Sequence, residues 1–186
     1  MEVALPMIKE NGFDSVSVDD ICSAAGIAKG TFYHYFASKE KIFGETGIIM
    51  NDIEIDHLLN DEQVSSIDKV FYLIRAYTEL AKSQGVDITR QLFKAFLDGN
   101  DIYTEKTSGT QMLRVIIAEG QKKKEINPNL TVDEIVDLVF AFTSGLILYW
   151  LNSNGDYDLT IKANNLFEKW LKHILDYTPM DKISNR

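Results

Sequence analysis

The chain has 186 residues, of which 45% are hydrophobic and 25% charged, and its formal net charge is -9. This composition suits an ordinary soluble protein with a real core. No run approaches the roughly 20 apolar residues that span a bilayer, and Met1 to Glu10 lacks the basic region and cleavage site of a signal peptide, so a cytoplasmic protein without a membrane partner is expected.

Helix signals dominate from start to end. The first helix is short, with Pro6 near its start. Ser17 and Asp20 form a capping box, in which a hydroxyl accepts from the backbone three residues on while the acid there reaches back. The helix it opens is expected to turn Ile21, Ala24 and Ala25 inward and to close at Gly26 in the left-handed conformation. The only cysteine, Cys22, excludes an internal disulfide and a cysteine-based zinc cluster and reads as a small buried side chain. Ile27 is expected to plug the core. A second short helix starts near Ala28, with Phe32 and Phe36 four apart and inward, so that Lys29, Thr31, Tyr33 and His34 point outward. Helix, tight glycine turn and helix is the arrangement that presents the second helix to a DNA major groove.

An acidic chain is a poor partner for phosphate, yet distribution matters more than the sum. Between Ile27 and Gly44, Lys29, Lys39 and Lys41 face only Glu40, and Asp14, Asp19 and Asp20 all come earlier. A locally basic surface is expected there.

Taken together, Ser17 followed by Asp20-Ile21, Ala25-Gly26-Ile27, Gly30-Thr31-Phe32-Tyr33, Phe36 and Ser38-Lys39-Glu40 resembles the DNA-binding domain of the TetR/AcrR family of transcriptional regulators. The resemblance covers about the first quarter of the chain. It implies an all-α protein: residues 1-47 as a three-helix helix-turn-helix domain and residues 48-186 as a helical bundle that senses a ligand and dimerises. Carried over, it makes Lys29, Gly30, Thr31, Tyr33, His34 and Tyr35 the recognition surface, with Ser17 and Lys39 on flanking phosphates. Lys29 can reach guanine acceptors or phosphate, Gly30 lets the backbone approach closely, and Thr31 suits a thymine methyl or a polar base edge. Tyr33 and Lys39 are better placed as backbone anchors, and Ser38 looks like the cap of the next helix. Two departures stand out. The first helix looks clipped beside that of the family, and no arginine precedes Arg75, so discrimination falls to Lys29, Thr31, backbone groups and DNA shape.

Beyond Gly47, capping boxes at Ser65-Asp68 and Thr131-Glu134 open further helices. Apolar residues recur at helical spacing in Ile67, Val70, Phe71, Ile74, Thr78 and Ala81, in Ile88, Leu92, Phe93 and Phe96, and in Met112, Leu113, Ile116 and Ile117. The run Lys122-Lys123-Lys124 reads as charge at a helix C-terminus. From Leu138 to Leu151 only Thr143, Ser144 and Gly145 interrupt an apolar surface on every side, and a final helix, about 159-177, carries Leu166, Phe167, Trp170, Leu171, Ile174 and Leu175 on one broad stripe. Such helices need covering on more than one face. A second copy, packed through helices at about 131-152 and 159-177, is the simplest cover.

Clustered aromatics, Phe71, Tyr72, Tyr77, Phe93, Phe96, Phe140, Phe142, Tyr149 and Trp150, suit a small amphipathic effector in the family's usual cavity, with no individual pocket residue singled out. Glu79, Asp98 and Asp137 are expected in solvent. No glycine-rich phosphate loop, metal-ligand cluster or nucleophile elbow is present, so His57 and His173 read as isolated histidines, and neither an enzyme nor a cofactor or metal is expected. The expected function is a ligand-responsive, DNA-binding repressor acting as a dimer on a palindromic operator; the alternative is a co-regulator that binds a protein partner instead of DNA.

Overall fold

A computed structural model describes residues 3-39, 41-42, 61-98 and 108-176. The proposed 47/48 boundary and His57 lie outside the described residues. Among the described residues all regular secondary structure is helical, apart from one isolated bridge between Ile126 and Asp176. In chain order they form α1 (Ala4–Asn11), α2 (Val18–Ala25), α3 (Lys29–Tyr35), α4 (Ser66–Gln84), α5 (Val86–Leu97), α6 (Ser108–Lys123), α7 (Val132–Asn152) and α8 (Leu159–Leu166). A π-helical turn, Phe167–Leu171, and α9 (Lys172–Leu175) complete them.

The helix starts follow the sequence signals. Ser17 caps α2 and Thr131 caps α7, each in a full capping box with the acid three residues on. At α4 the Ser65 hydroxyl donates to Asp68 over 2.6 Å and accepts from the Asp68 N–H. These bonds satisfy N–H groups that a helix start leaves without partners. Hydrogen bonding to Ser17 and to Thr131 holds the carboxyls of Asp20 and Glu134 below the usual range.

Two compact units result. The first comprises residues 1-49 and 80-104, the second 50-79 and 105-186, so α4 contributes to both. This division differs from a split at 47/48, because α5 belongs with the N-terminal helices. The first unit's core gathers Ala4, Ile8, Phe13, Val16, Ile21, Cys22, Phe32 and Ile42 with Ile88, Leu92 and Ala95 of α5. That packing corrects two expectations. Ile27 is exposed and is not among the residues of this core, to which α5 contributes Ile88, Leu92 and Ala95. Ala24 is exposed as well, since the inward stripe of α2 runs through Val18, Ile21, Cys22 and Ala25 at the i, i+3, i+4, i+7 spacing.

In the second unit the apolar stripes of α4 and α6 are buried at Ile67, Val70, Ile74, Leu113, Ile116 and Ile117. At the end of α6, Lys122 and Lys123 lie in the last turn. The last turn of α6 also lies close to α4: a methyl on Gly120 would stand 2.6 Å from the Ser66 Cβ. Just beyond that turn, Glu125 accepts from the Ser66 N–H over 2.7 Å, and this bond lowers its pKa.

By length and composition α7 could cross a membrane. Its Ile135, Val136, Val139, Ile147, Trp150 and Leu151 are instead buried in the unit. The final stripe divides. The π turn sends Phe167, Leu171 and Leu175 inward, where Phe167 stacks on Phe71 at 4.7 Å, and leaves Trp170 and Ile174 exposed. The extra residue in a π turn shifts the register of all that follows, which a period of 3.6 does not anticipate.

Candidate nucleic-acid interface

The surface on α3 begins with the turn before it. Gly26 takes φ 66°, ψ 31°, and the Ile27 N–H donates to the Cys22 carbonyl over 3.0 Å, so α2 ends in a left-handed cap that redirects the chain at once. α3 then starts at Ala28, whose carbonyl accepts from Thr31 and Phe32. No side chain caps it. Phe32 is buried beneath the helix, and its ring lies 5.3 Å from that of the half-buried Phe36.

Every other side chain of α3 faces solvent: Lys29, Thr31, Tyr33, His34 and Tyr35 are exposed. Tyr33 packs edge-on to Phe32, and Tyr35, 70% exposed, packs edge-on to His34. Gly30 lies on this surface, and a methyl there would meet no atom within 4 Å. Nothing inside the described chain therefore demands glycine, whose place in a helix costs about 1 kcal/mol relative to alanine.

The cations are less available than their spacing suggested. Asp19 precedes the basic stretch in sequence but meets it in space, since the Lys29 Nζ lies 2.9 Å from an Asp19 carboxylate oxygen. This hydrogen bond raises the Lys29 pKa. Lys39 donates to the Phe13 carbonyl over 2.6 Å and to the Val16 carbonyl over 2.7 Å, with its ammonium 3.9 Å from the centre of the Phe13 ring. The Ser17 hydroxyl is engaged with Asp20 in both directions, donating over 2.5 Å and accepting over 3.1 Å.

The structure thus brings Lys29, Gly30, Thr31, Tyr33, His34 and Tyr35 onto one short helix and places Ser17 and Lys39 in bonds at its flanks. Sequence reasoning missed the Lys29–Asp19 pair and the support from α5. Ten residues separate the first two, and no helical period links them. The α5 stripe, Ile88 and Leu92, was visible as an amphipathic face with no sign of its partner.

Residues 1–46 match the family model described as "Bacterial regulatory proteins, tetR family". Over 177 residues the chain is 27% identical to the fatty acid metabolism regulator protein of Bacillus subtilis, with 90% of each chain covered. Among solved structures, the fatty acid degradation regulator FadR of Bacillus halodurans aligns with a TM-score of 0.65 at 24% identity, covering 90% of this chain and 89% of its own. FadR of Bacillus subtilis, solved in complex with stearoyl-CoA, aligns with a TM-score of 0.61 at 21% identity, covering 90% and 93%. The structural likenesses carry the fold, and the family match covers the N-terminal 46 residues. Residues 1–46 are thus similar to the DNA-binding segment of the tetR family of bacterial regulatory proteins, and the chain as a whole is similar to regulators of fatty acid metabolism.

Proposed function

We propose that this protein is a ligand-responsive repressor that binds a palindromic operator as a two-fold dimer, each subunit laying α3 in a major groove. The observation that carries this reading is α3 itself, seven residues seated on two phenylalanines with all other side chains turned outward. In the complex Lys29 exchanges Asp19 for a phosphate or a guanine acceptor, Thr31 meets a base edge, and Tyr33, His34 and Tyr35 supply hydrogen-bonding edges. The surface is weakly cationic, so tight binding rests on two such helices acting together.

Dimerisation is assigned to α7 through α9. Phe140, Leu148 and Tyr149 on α7, Ile161 on α8, Trp170 in the π turn and Ile174 on α9 are exposed large apolar groups, with Tyr149 70% and Trp170 67% exposed. Groups of this size favour removal from water at about 25 cal/mol per Å². A second copy offers the same helices and a closed two-fold interface.

The effector is a small amphipathic molecule, and a long-chain acyl thioester is the first candidate, by likeness to the relative solved with stearoyl-CoA. The site is assigned to the second unit. Effector binding favours a packing that changes the spacing of the two α3 helices and releases DNA. Such a repressor works in the bacterial cytoplasm. The test is fluorescence anisotropy with duplex DNA from upstream of the gene, across a salt series and with added stearoyl-CoA. Affinity is expected to fall steeply with salt and to fall again with the thioester. Absence of salt-sensitive binding would favour a protein-binding co-regulator, and binding indifferent to stearoyl-CoA would exclude that effector.

A further inference from the structure

We propose that Asn127 is a positioning residue for the dimer face: from the loop between α6 and α7 it closes the end of α9 and so fixes Trp170 and Ile174 where a second copy meets them. The inference rests on the reading that α7 through α9 dimerise. The last carbonyls of a helix have no partner within it. At the end of α9 that partner is Asn127, whose N–H donates to the Leu175 carbonyl over 2.7 Å and whose Nδ2 donates to the Ile174 carbonyl over 3.3 Å. Leu175 faces the core, whereas Ile174 is one of the exposed apolar groups, and Trp170, more exposed still, stands just ahead of it in the π turn. The same bonds that close the helix therefore hold the backbone from which the apolar patch projects.

Asn127 can serve as a fixed point because its loop is tied to two other helices. Ahead of it, the N–H groups of Glu125 and Ile126 donate to the Gly120 carbonyl over 2.8 and 3.1 Å, which turns the chain back at the end of α6. Ile126 is fully buried, and Gly120 leaves it no spare room, since a methyl there would stand 2.7 Å from the Ile126 Cδ1. Glu125 meanwhile accepts from the Ser66 N–H in the first turn of α4, a donor that a helix start leaves free. On the other side, the Gln121 Nε2 donates to the Asn127 and Leu130 carbonyls over 3.0 and 2.7 Å, and the Asn127 Oδ1 accepts from the Asn129 N–H over 3.0 Å. The N–H, the carbonyl and both polar side-chain atoms of Asn127 are thus all engaged. Short helices open easily at their ends, so the two bonds to α9 decide how much of the population presents Trp170 and Ile174 in one arrangement.

Two substitutions grade the effect, and neither alters a residue of the apolar patch. Asn127→Ala removes the side-chain bonds and keeps the N–H. Asn127→Pro removes the N–H as well, at a position that Pro128 already biases towards the extended backbone that proline adopts. Sedimentation over a dilution series measures the dimer dissociation constant, and amide exchange under dilute, monomeric conditions follows Ile174 to Asp176. Positioning predicts a dissociation constant raised about fivefold by Asn127→Ala, as for one net hydrogen bond, and by more than about tenfold in Asn127→Pro, where both bonds to α9 are lost. Exchange is expected to quicken in the same order. Faster exchange with an unchanged dissociation constant would make Asn127 a local cap and overturn the inference, as would wild-type values of both. If circular dichroism shows Asn127→Pro unfolded, Asn127→Ala decides alone. Trp170→Glu in the same series keeps the two readings apart: a dimer that survives it refutes the reading of the face, whereas a dimer lost there but intact in both Asn127 variants refutes this inference alone. A wild-type protein that is monomeric throughout would refute both.

Discussion

The two units leave different things unsatisfied. Around the helix-turn-helix, the polar groups have partners within the unit: Ser17 and Asp20 bond each other, Lys29 holds Asp19, and Lys39 holds two carbonyls. What the unit turns outward on α3 is polar or amphipathic. The second unit reverses this. It exposes Leu148, Tyr149, Ile161 and Trp170, and inside it the Tyr157 hydroxyl, the Thr160 hydroxyl and the Asn164 carbonyl oxygen are buried with no hydrogen-bond partner among the described residues. A buried polar group left unpaired costs about 1–3 kcal/mol, so each of these atoms is a place where a water or another polar group would be held. The helix-turn-helix has its charged and capping groups paired within its own unit, whereas the second unit combines exposed large apolar side chains with buried polar atoms that have no partner among the described residues.

The largest effect expected from this contrast is on assembly. Trp170→Glu places a charge in the exposed apolar patch of the π turn without touching the buried side of the helix. Sedimentation is expected to show a folded monomer, and operator affinity is expected to fall at least about a hundredfold, the order of avidity lost when two linked sites act singly. A variant that stays dimeric would move the interface away from Trp170.

Next comes Gly30→Ala. A methyl there meets nothing within 4 Å, so the free protein is expected to gain about 0.5–1 kcal/mol in denaturant melts from helix propensity alone. Operator binding is expected to weaken by about tenfold if backbone and DNA approach closely at that point. Stabilisation with undiminished binding would remove Gly30 from the interface.

A smaller effect tests the second unit. Thr160→Val removes a hydroxyl without a partner at a site that is 4% exposed and keeps its shape. The free protein should gain about 1 kcal/mol, while the effector response weakens if the hydroxyl meets the guest. A loss of stability would mean that the hydroxyl is bonded in solution and would end its role in the contrast.

The smallest effect concerns acid. Asp20 has a depressed carboxyl pKa in the fold because it accepts from Ser17. The unfolded chain, with its carboxyl near 3.9, therefore binds more protons over the interval below that value, and stability rises with pH there. The contribution is fully present above about pH 4 and fades as pH falls through the lower, folded value. Asp20→Asn should flatten the acid limb of the stability profile, which pH-dependent thermal melts measure.

How much of this was legible follows from the range of the interactions. The starts of α2, α4 and α7 were readable because a capping box is complete within four residues. The outward face of α3 was readable because Phe32 and Phe36 fix its inward side. Contacts between distant segments were not: α5 under the helix-turn-helix, Asp19 against Lys29, and Lys39 on the Phe13 and Val16 carbonyls. Ile27 was misplaced because its exposure depends on which distant segments close the core, and α5, some 60 residues away, is one of them. The final stripe failed locally, because a π turn breaks the period on which the reading relied.

The most direct test is hydroxyl-radical footprinting of the wild-type protein on DNA selected from a random pool. Two protected faces related by two-fold symmetry, separated by about one helical turn or a multiple of it, are expected. A single asymmetric half-site, or no protection under conditions where the protein is folded and dimeric, would contradict the reading of α3 as one half of a symmetric pair.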